Sequence, residues 1–109
     1  QPLVSAHHSA YATEAEFQQA IIDFAHKSGW EVYFTHDSRH SPKGWLDLFM
    51  MRPTREDEIV QAVVLECKMP GRKPTKAQQK CLALLNRVPG VKAKVVYPSD
   101  WEKIQEMLK

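Results

Sequence analysis

Apolar and polar residues follow two rhythms along this chain, and the switches between them mark its elements. "ATEAEFQQAIIDFAHKSGW" sets Phe17, Ala20, Ile21, Phe24 and Ala25 at helical spacing, with Thr13 and Glu16 spaced as a capping box and Gly29 as a stop. "WEVYFTH" alternates and is rich in β-branched and aromatic residues, which predicts a strand. "DSRHSPKG" has no period and reads as a loop. "WLDLFMMR" predicts a second strand and "EIVQAVVLECK" a third, joined as a hairpin through the polar "PTRED". "TKAQQKCLALLNRV" puts Cys81, Leu82, Leu85 and Val88 on one side of a second helix, and Thr75 and Gln78 repeat the capping-box spacing. "VKAKVVYP" predicts a fourth strand, and "SDWEKIQEMLK" a last helix capped by Ser99 or Asp100.

The order is helix, three strands, helix, strand, helix. A strand, helix and strand in succession imply a right-handed crossover between parallel strands. The expected fold is therefore α/β, a mixed four-stranded sheet flanked by helices. At 109 residues the chain is long enough for one domain. Residues 1–12 read as a flexible leader and 13–109 as the domain. No run approaches the roughly 20 apolar residues of a membrane span.

Composition narrows the chemistry. The two cysteines, Cys67 and Cys81, lie within apolar patterns without metal-ligand spacing, so they read as buried thiols in a reducing compartment. The five histidines form no zinc spacing. Net charge is only +2, yet Lys68, Arg72, Lys73, Lys76 and Lys80 form a run with no acid among them. Such a run is a solvated face or a track for phosphates.

Three charges stand among apolar residues: Asp47 in the second strand, and Glu66 and Lys68 at the end of the third. Strand alternation puts Glu66 and Lys68 on one face and Leu65 and Cys67 on the other. If the second and third strands pair, Asp47 and Glu66 lie side by side. Two carboxylates so placed do not both stay ionised without a cation, and a hard ion such as Mg²⁺ relieves the conflict. An ordinary ion pair of Lys68 with either acid is the plain alternative. On the first helix, Glu14 lies about 50° from the centre of the apolar stripe and Glu16 about 110° away, so Glu14 leans toward the sheet with Gln18 beside it. Gln78 shares the inward face of its helix with Cys81, Leu82 and Leu85.

With "TEAEFQQA", "GWLD", "ECK" and "TKAQ" in this order on these elements, the chain resembles the VRR-NUC (virus-type replication–repair nuclease) family of the PD-(D/E)XK nuclease superfamily. The likeness runs from about Thr13 to Trp101. It departs at Leu46, where many relatives carry proline. The resemblance implies a restriction-endonuclease-like fold and a Mg²⁺- or Mn²⁺-dependent DNA endonuclease that hydrolyses phosphodiester bonds. Stand-alone relatives of this size, typical of phages and bacteria, are similar to Holliday-junction resolvases, so a cytoplasmic homodimer acting on four-way junctions is expected. Leu46, Met50 and Met51 offer the apolar patch such a dimer needs, although core packing is the commoner fate of such residues.

The implied roles follow residue by residue. Asp47 and Glu66 bind the ion, with the Cys67 carbonyl completing the protein ligands. Glu14 reaches a second ion or the water around the first. Lys68 orients the attacking water or steadies charge on the phosphate, and Gln78 and Gln18 support the site or touch phosphates. Arg39, Lys43, Arg72, Lys73 and Lys76 hold the DNA backbone, while His36 and His40 read equally as phosphate contacts or as residues of a solvent-facing strand end and loop. The alternatives are a nuclease-like module that binds DNA without cutting, and a flap- or restriction-type nuclease.

Overall fold

The computed structural model describes residues 11–35, 41–53 and 60–109. Helix α1 (Glu14–Lys27) leads into β1 (Glu31–Phe34), β2 (Leu48–Arg52) and β3 (Gln61–Cys67). Helix α2 (Lys76–Leu85), β4 (Val91–Val96), a 3₁₀ turn (Pro98–Asp100) and α3 (Trp101–Leu108) follow. The sheet runs β1-β2-β3-β4, antiparallel across the first two pairings and parallel across the last. The architecture is thus α/β with a mixed four-stranded sheet. Among the described residues no helix is long and apolar enough to cross a membrane.

Strand β3 is buried on both faces from Ala62 to Cys67 because helices cover both sides of this central strand. Its Val63, Leu65 and Cys67 join Phe17, Ile21, Ala25, Ile104 and Leu108 in the larger core, between the sheet and the α1–α3 layer. Val64 belongs to a smaller cluster with Leu46 and Ala93, against which Cys81, Leu82 and Leu85 of α2 are only half-buried. No residue of α2 is fully buried.

Both predicted capping boxes form. Thr13 Oγ1 accepts from Glu16 N at 3.1 Å while Glu16 Oε1 accepts from Thr13 N at 3.1 Å. The Thr75–Gln78 pair repeats this at 3.1 and 2.9 Å. Asp100 instead accepts from Tyr97 N at 2.8 Å and makes no side-chain cap on α3. The 3₁₀ turn started by Pro98 displaces the predicted cap. Edge strand β4 is shielded by Asn86, whose side chain bonds both the N–H and the C=O of Ala93 at 2.9 Å.

The structure sharpens three readings. The second strand begins at Leu48, so Asp47 stands just before it rather than within it. Leu46 and Met50 are 1% and 0% exposed, so they take the core packing expected of such residues rather than forming a patch; Met51 is half-buried. Leucine in the proline position of the resembled motif thus fills core space. Tyr11, from the stretch read as a leader, packs on Phe17 and Trp101 with ring centroids at 5.5 and 6.3 Å.

Candidate active site

The antiparallel register Leu48↔Leu65, carried one residue outward, sets Asp47 opposite Glu66. Asp47 is fixed by its backbone: its Oδ2 accepts the Cys67 N–H at 2.8 Å, and its carbonyl accepts the Thr35 N–H at 3.3 Å. Glu66 follows Leu65 onto the other face of β3, where its Oε2 lies 3.2 Å from Lys68 Nζ. Lys68 is held by its own N–H donating to Val96 O at 3.0 Å. The remaining Glu66 oxygen, Oε1, is buried and has no hydrogen-bond partner among the described residues.

These groups line a cleft of about 290 Å³ with Glu14 from α1, Gln78 from α2, and Lys43, Gly44, Trp45 and Leu46 from the loop before β2. That loop is tightly built. Gly44 takes φ 87°, and a Cβ there would come within 2.7 Å of Ala77 O on α2. Only glycine combines that backbone with so close an approach. Trp45 N–H closes the turn on Pro42 O at 3.1 Å.

The electrostatics follow from this crowding. Burial and the facing Asp47 push the Glu66 carboxyl up to about 7, against the pull of Lys68. Asp47 is also raised, chiefly by burial, while the Cys67 N–H, the Lys68 charge and a hydrogen bond from Glu66 when that carboxyl is protonated restrain it. Glu14 is raised by partial desolvation and by Asp47, with Lys68 and Arg72 drawing it back. The two facing carboxyls therefore titrate as a pair that resists full ionisation.

The cleft brings together six of the expected residues: Glu14, Lys43, Asp47, Glu66, Lys68 and Gln78. Gln78 has two duties, since its side-chain oxygen closes the capping box while the residue forms part of the cleft wall. Gln18 lies apart, in a neighbouring groove that shares Glu14 and Thr35 with the cleft. The Cys67 thiol packs in the core on the opposite face, and burial raises it far above the ordinary thiol range. Cys67 touches the site through its main chain alone. Lys43 lines the cleft from an exposed position, whereas Lys73 and Lys76 are exposed on the loop and first turn beyond it. Arg72 is near enough to act on Glu14, and its carbonyl is pinned by the Tyr97 hydroxyl at 2.7 Å. Arg39, His36 and His40 lie outside the described residues.

No three side chains of histidine, cysteine, aspartate or glutamate converge on one point among the described residues. The acidic centre is therefore a pair, Asp47 and Glu66, with Glu14 more distant. Sequence reasoning gave no role to Trp45 or Tyr97. Trp45 was detectable through its two-residue offset from Asp47, whereas the contact from Tyr97 to Arg72 spans 25 residues and has no local signal. Comparison of the chain with family models, curated proteins and solved structures finds no match in any of the three.

Proposed function

We propose that this chain is a metal-dependent DNA endonuclease of restriction-endonuclease-like fold, a VRR-NUC member of the PD-(D/E)XK superfamily that cuts four-way junctions as a homodimer. One observation carries the reading. Asp47 and Glu66 face each other beside Lys68, and a buried Glu66 oxygen has no partner among the described residues. A buried acceptor left without a partner costs about 1–3 kcal/mol, more when charged. Opposed carboxylates add repulsion to that cost.

An all-oxygen donor set with an orphaned acceptor fits a hard divalent cation, which needs only one or two carboxylates and keeps several waters. Asp47 and Glu66 would hold Mg²⁺ or Mn²⁺, with the Cys67 carbonyl as a further donor and Glu14 at the rim. Such an ion supplies Lewis-acid stabilisation of a phosphodiester and makes water a competent nucleophile.

The chain's own groups do the rest. The Cys67 N–H holds the Asp47 carboxylate in one orientation. Lys68 places an ammonium where charge grows on the phosphate, inside a cleft that excludes bulk water from one side. Lys43, Arg72, Lys73 and Lys76 supply cations for the DNA backbone, contacts that give salt-sensitive affinity without reading sequence. A four-way junction calls for two symmetric incisions, hence two clefts related by a two-fold axis.

The test compares cleavage of a labelled four-way junction and a linear duplex of the same sequences with Mg²⁺ or Mn²⁺. Symmetric nicking of the junction is expected, and Asp47→Ala, Glu66→Ala or Lys68→Ala lowers it by at least about 100-fold while the fold survives. Binding of the junction without cleavage in either metal would overturn the catalytic reading.

A further inference from the structure

Trp45 stands apart from the chain's other tryptophans. Trp30 and Trp101 are 3% and 4% exposed, whereas Trp45 is 39% exposed. It lines the cleft with Glu14, Asp47, Glu66 and Lys68. Phe49 backs the indole nearly in parallel, with centroids 6.2 Å apart and planes 17° from one another. The turn that presents the ring is held at both ends, by the Trp45 N–H bond to Pro42 and by Gly44 pressed on Ala77. The ring is thus backed by another aromatic and set on a fixed turn.

Lys43 and Lys68 share this cleft. Cations for phosphates beside a partly exposed aromatic ring are the two elements that bind single-stranded nucleic acid, because every base has a face to stack. A continuous duplex keeps its bases stacked on one another and has none to offer. We propose that Trp45 is a base-stacking platform that receives an unpaired nucleotide beside the phosphate at Lys68, so that the cleft favours DNA with unpaired bases over continuous duplex. The proposal rests on the nuclease reading for its ligand class and deepens it by naming the feature recognised.

Tryptophan emission tests it in the full chain, with chelator present so that nothing is cut. Titration with oligothymidylate quenches the emission saturably, and the change belongs to Trp45 because the other two indoles are buried. Trp45→Ala weakens oligothymidylate binding about ten-fold and leaves blunt duplex binding within about two-fold. Trp45→Phe restores the single-strand affinity without the optical signal. Trp45→Leu keeps apolar bulk over Phe49 but loses the affinity, and it carries the test if the alanine variant does not fold. Absence of quenching, equal weakening of both ligands, or full affinity in Trp45→Leu would overturn the platform. Quenching in a chain that cuts no DNA sinks the nuclease reading alone; Asp47-dependent cutting without quenching sinks the platform alone.

Discussion

On one side of the sheet, α1 and α3 set Phe17, Ile21, Ile104 and Leu108 fully out of water. On the other, α2 buries none of its residues and leaves Leu84 about half exposed, and Val88, expected on the helix's apolar side, lies beyond its end at Leu85 and is equally exposed. Glu66 shares its side of β3 with Val64, so the charged residues stand on the loosely covered side. The difference is physical economy. A closed layer gains most from apolar burial, whereas carboxylates and an ammonium lose less hydration beside an open cleft than under a sealed layer. Arg52 reinforces the closed side by bonding Ser28 O and Leu108 O at 2.8 and 3.1 Å, with its guanidinium 4.3 Å from the centre of the Trp30 ring.

The comparison is broken most severely in the closed layer. Phe17→Ala removes a ring from the larger core and is expected to cost about 3–5 kcal/mol. Leu84→Ala, on the exposed flank of α2, is expected to cost less than about 0.5 kcal/mol. Denaturant titration of both variants measures the contrast. Equal losses would show that the two layers hold the fold alike.

A smaller effect comes from the charged side. The Glu66 carboxyl lies near 7 in the folded chain, above its ordinary value. A carboxyl raised by folding binds more protons in the native state, so its stabilising contribution is complete below the unfolded value and is lost as pH climbs through about 7. In chelator, the melting temperature is expected to fall between about pH 5 and pH 8. Glu66→Gln stays neutral throughout, so it flattens that profile and gains about 1–3 kcal/mol over the natural chain at the upper end. Excess Mg²⁺ at about pH 8 should raise the natural chain's melting temperature more than the variant's. A flat or rising profile for the natural chain would remove the carboxylate conflict from the account.

Much of this division was legible beforehand, for identifiable reasons. Period two alone set Glu66 and Lys68 on one face, and hairpin pairing set Asp47 across from Glu66. The helical angle placed Glu14 toward the sheet and Glu16 in a cap, and the structure has Glu14 in the cleft and Glu16 in the capping box. What escaped was quantity and distance. Cys81, Leu82 and Leu85 mark an inward face on α2, yet their spacing does not tell how shallow the facing surface is. Gln78 reads as a cap or as a cleft residue, and it serves as both because the first turn of α2 abuts the cleft.

The smallest expected effect sharpens the comparison most finely, because the two helices carry the same device. Thr13 and Thr75 cap their helices through matching pairs of bonds. Replacing either by alanine removes a side-chain acceptor worth about 1 kcal/mol. In α1 that loss adds to a helix locked by Phe17, Ile21 and Ala25, so it is paid only when the whole domain unfolds. In α2, without a buried residue to hold it, the same loss promotes local opening. Hydrogen exchange distinguishes the two cases. Thr75→Ala should speed exchange of the α2 amides about five-fold and leave those of β3 nearly unchanged, as the same 1 kcal/mol predicts for a local equilibrium. Thr13→Ala should instead accelerate the slowest amides of α1 and β3 together. If Thr75→Ala moved β3 as much as α2, the open layer would belong to the same cooperative unit as the closed one, and looseness at α2 would be a feature of its surface alone.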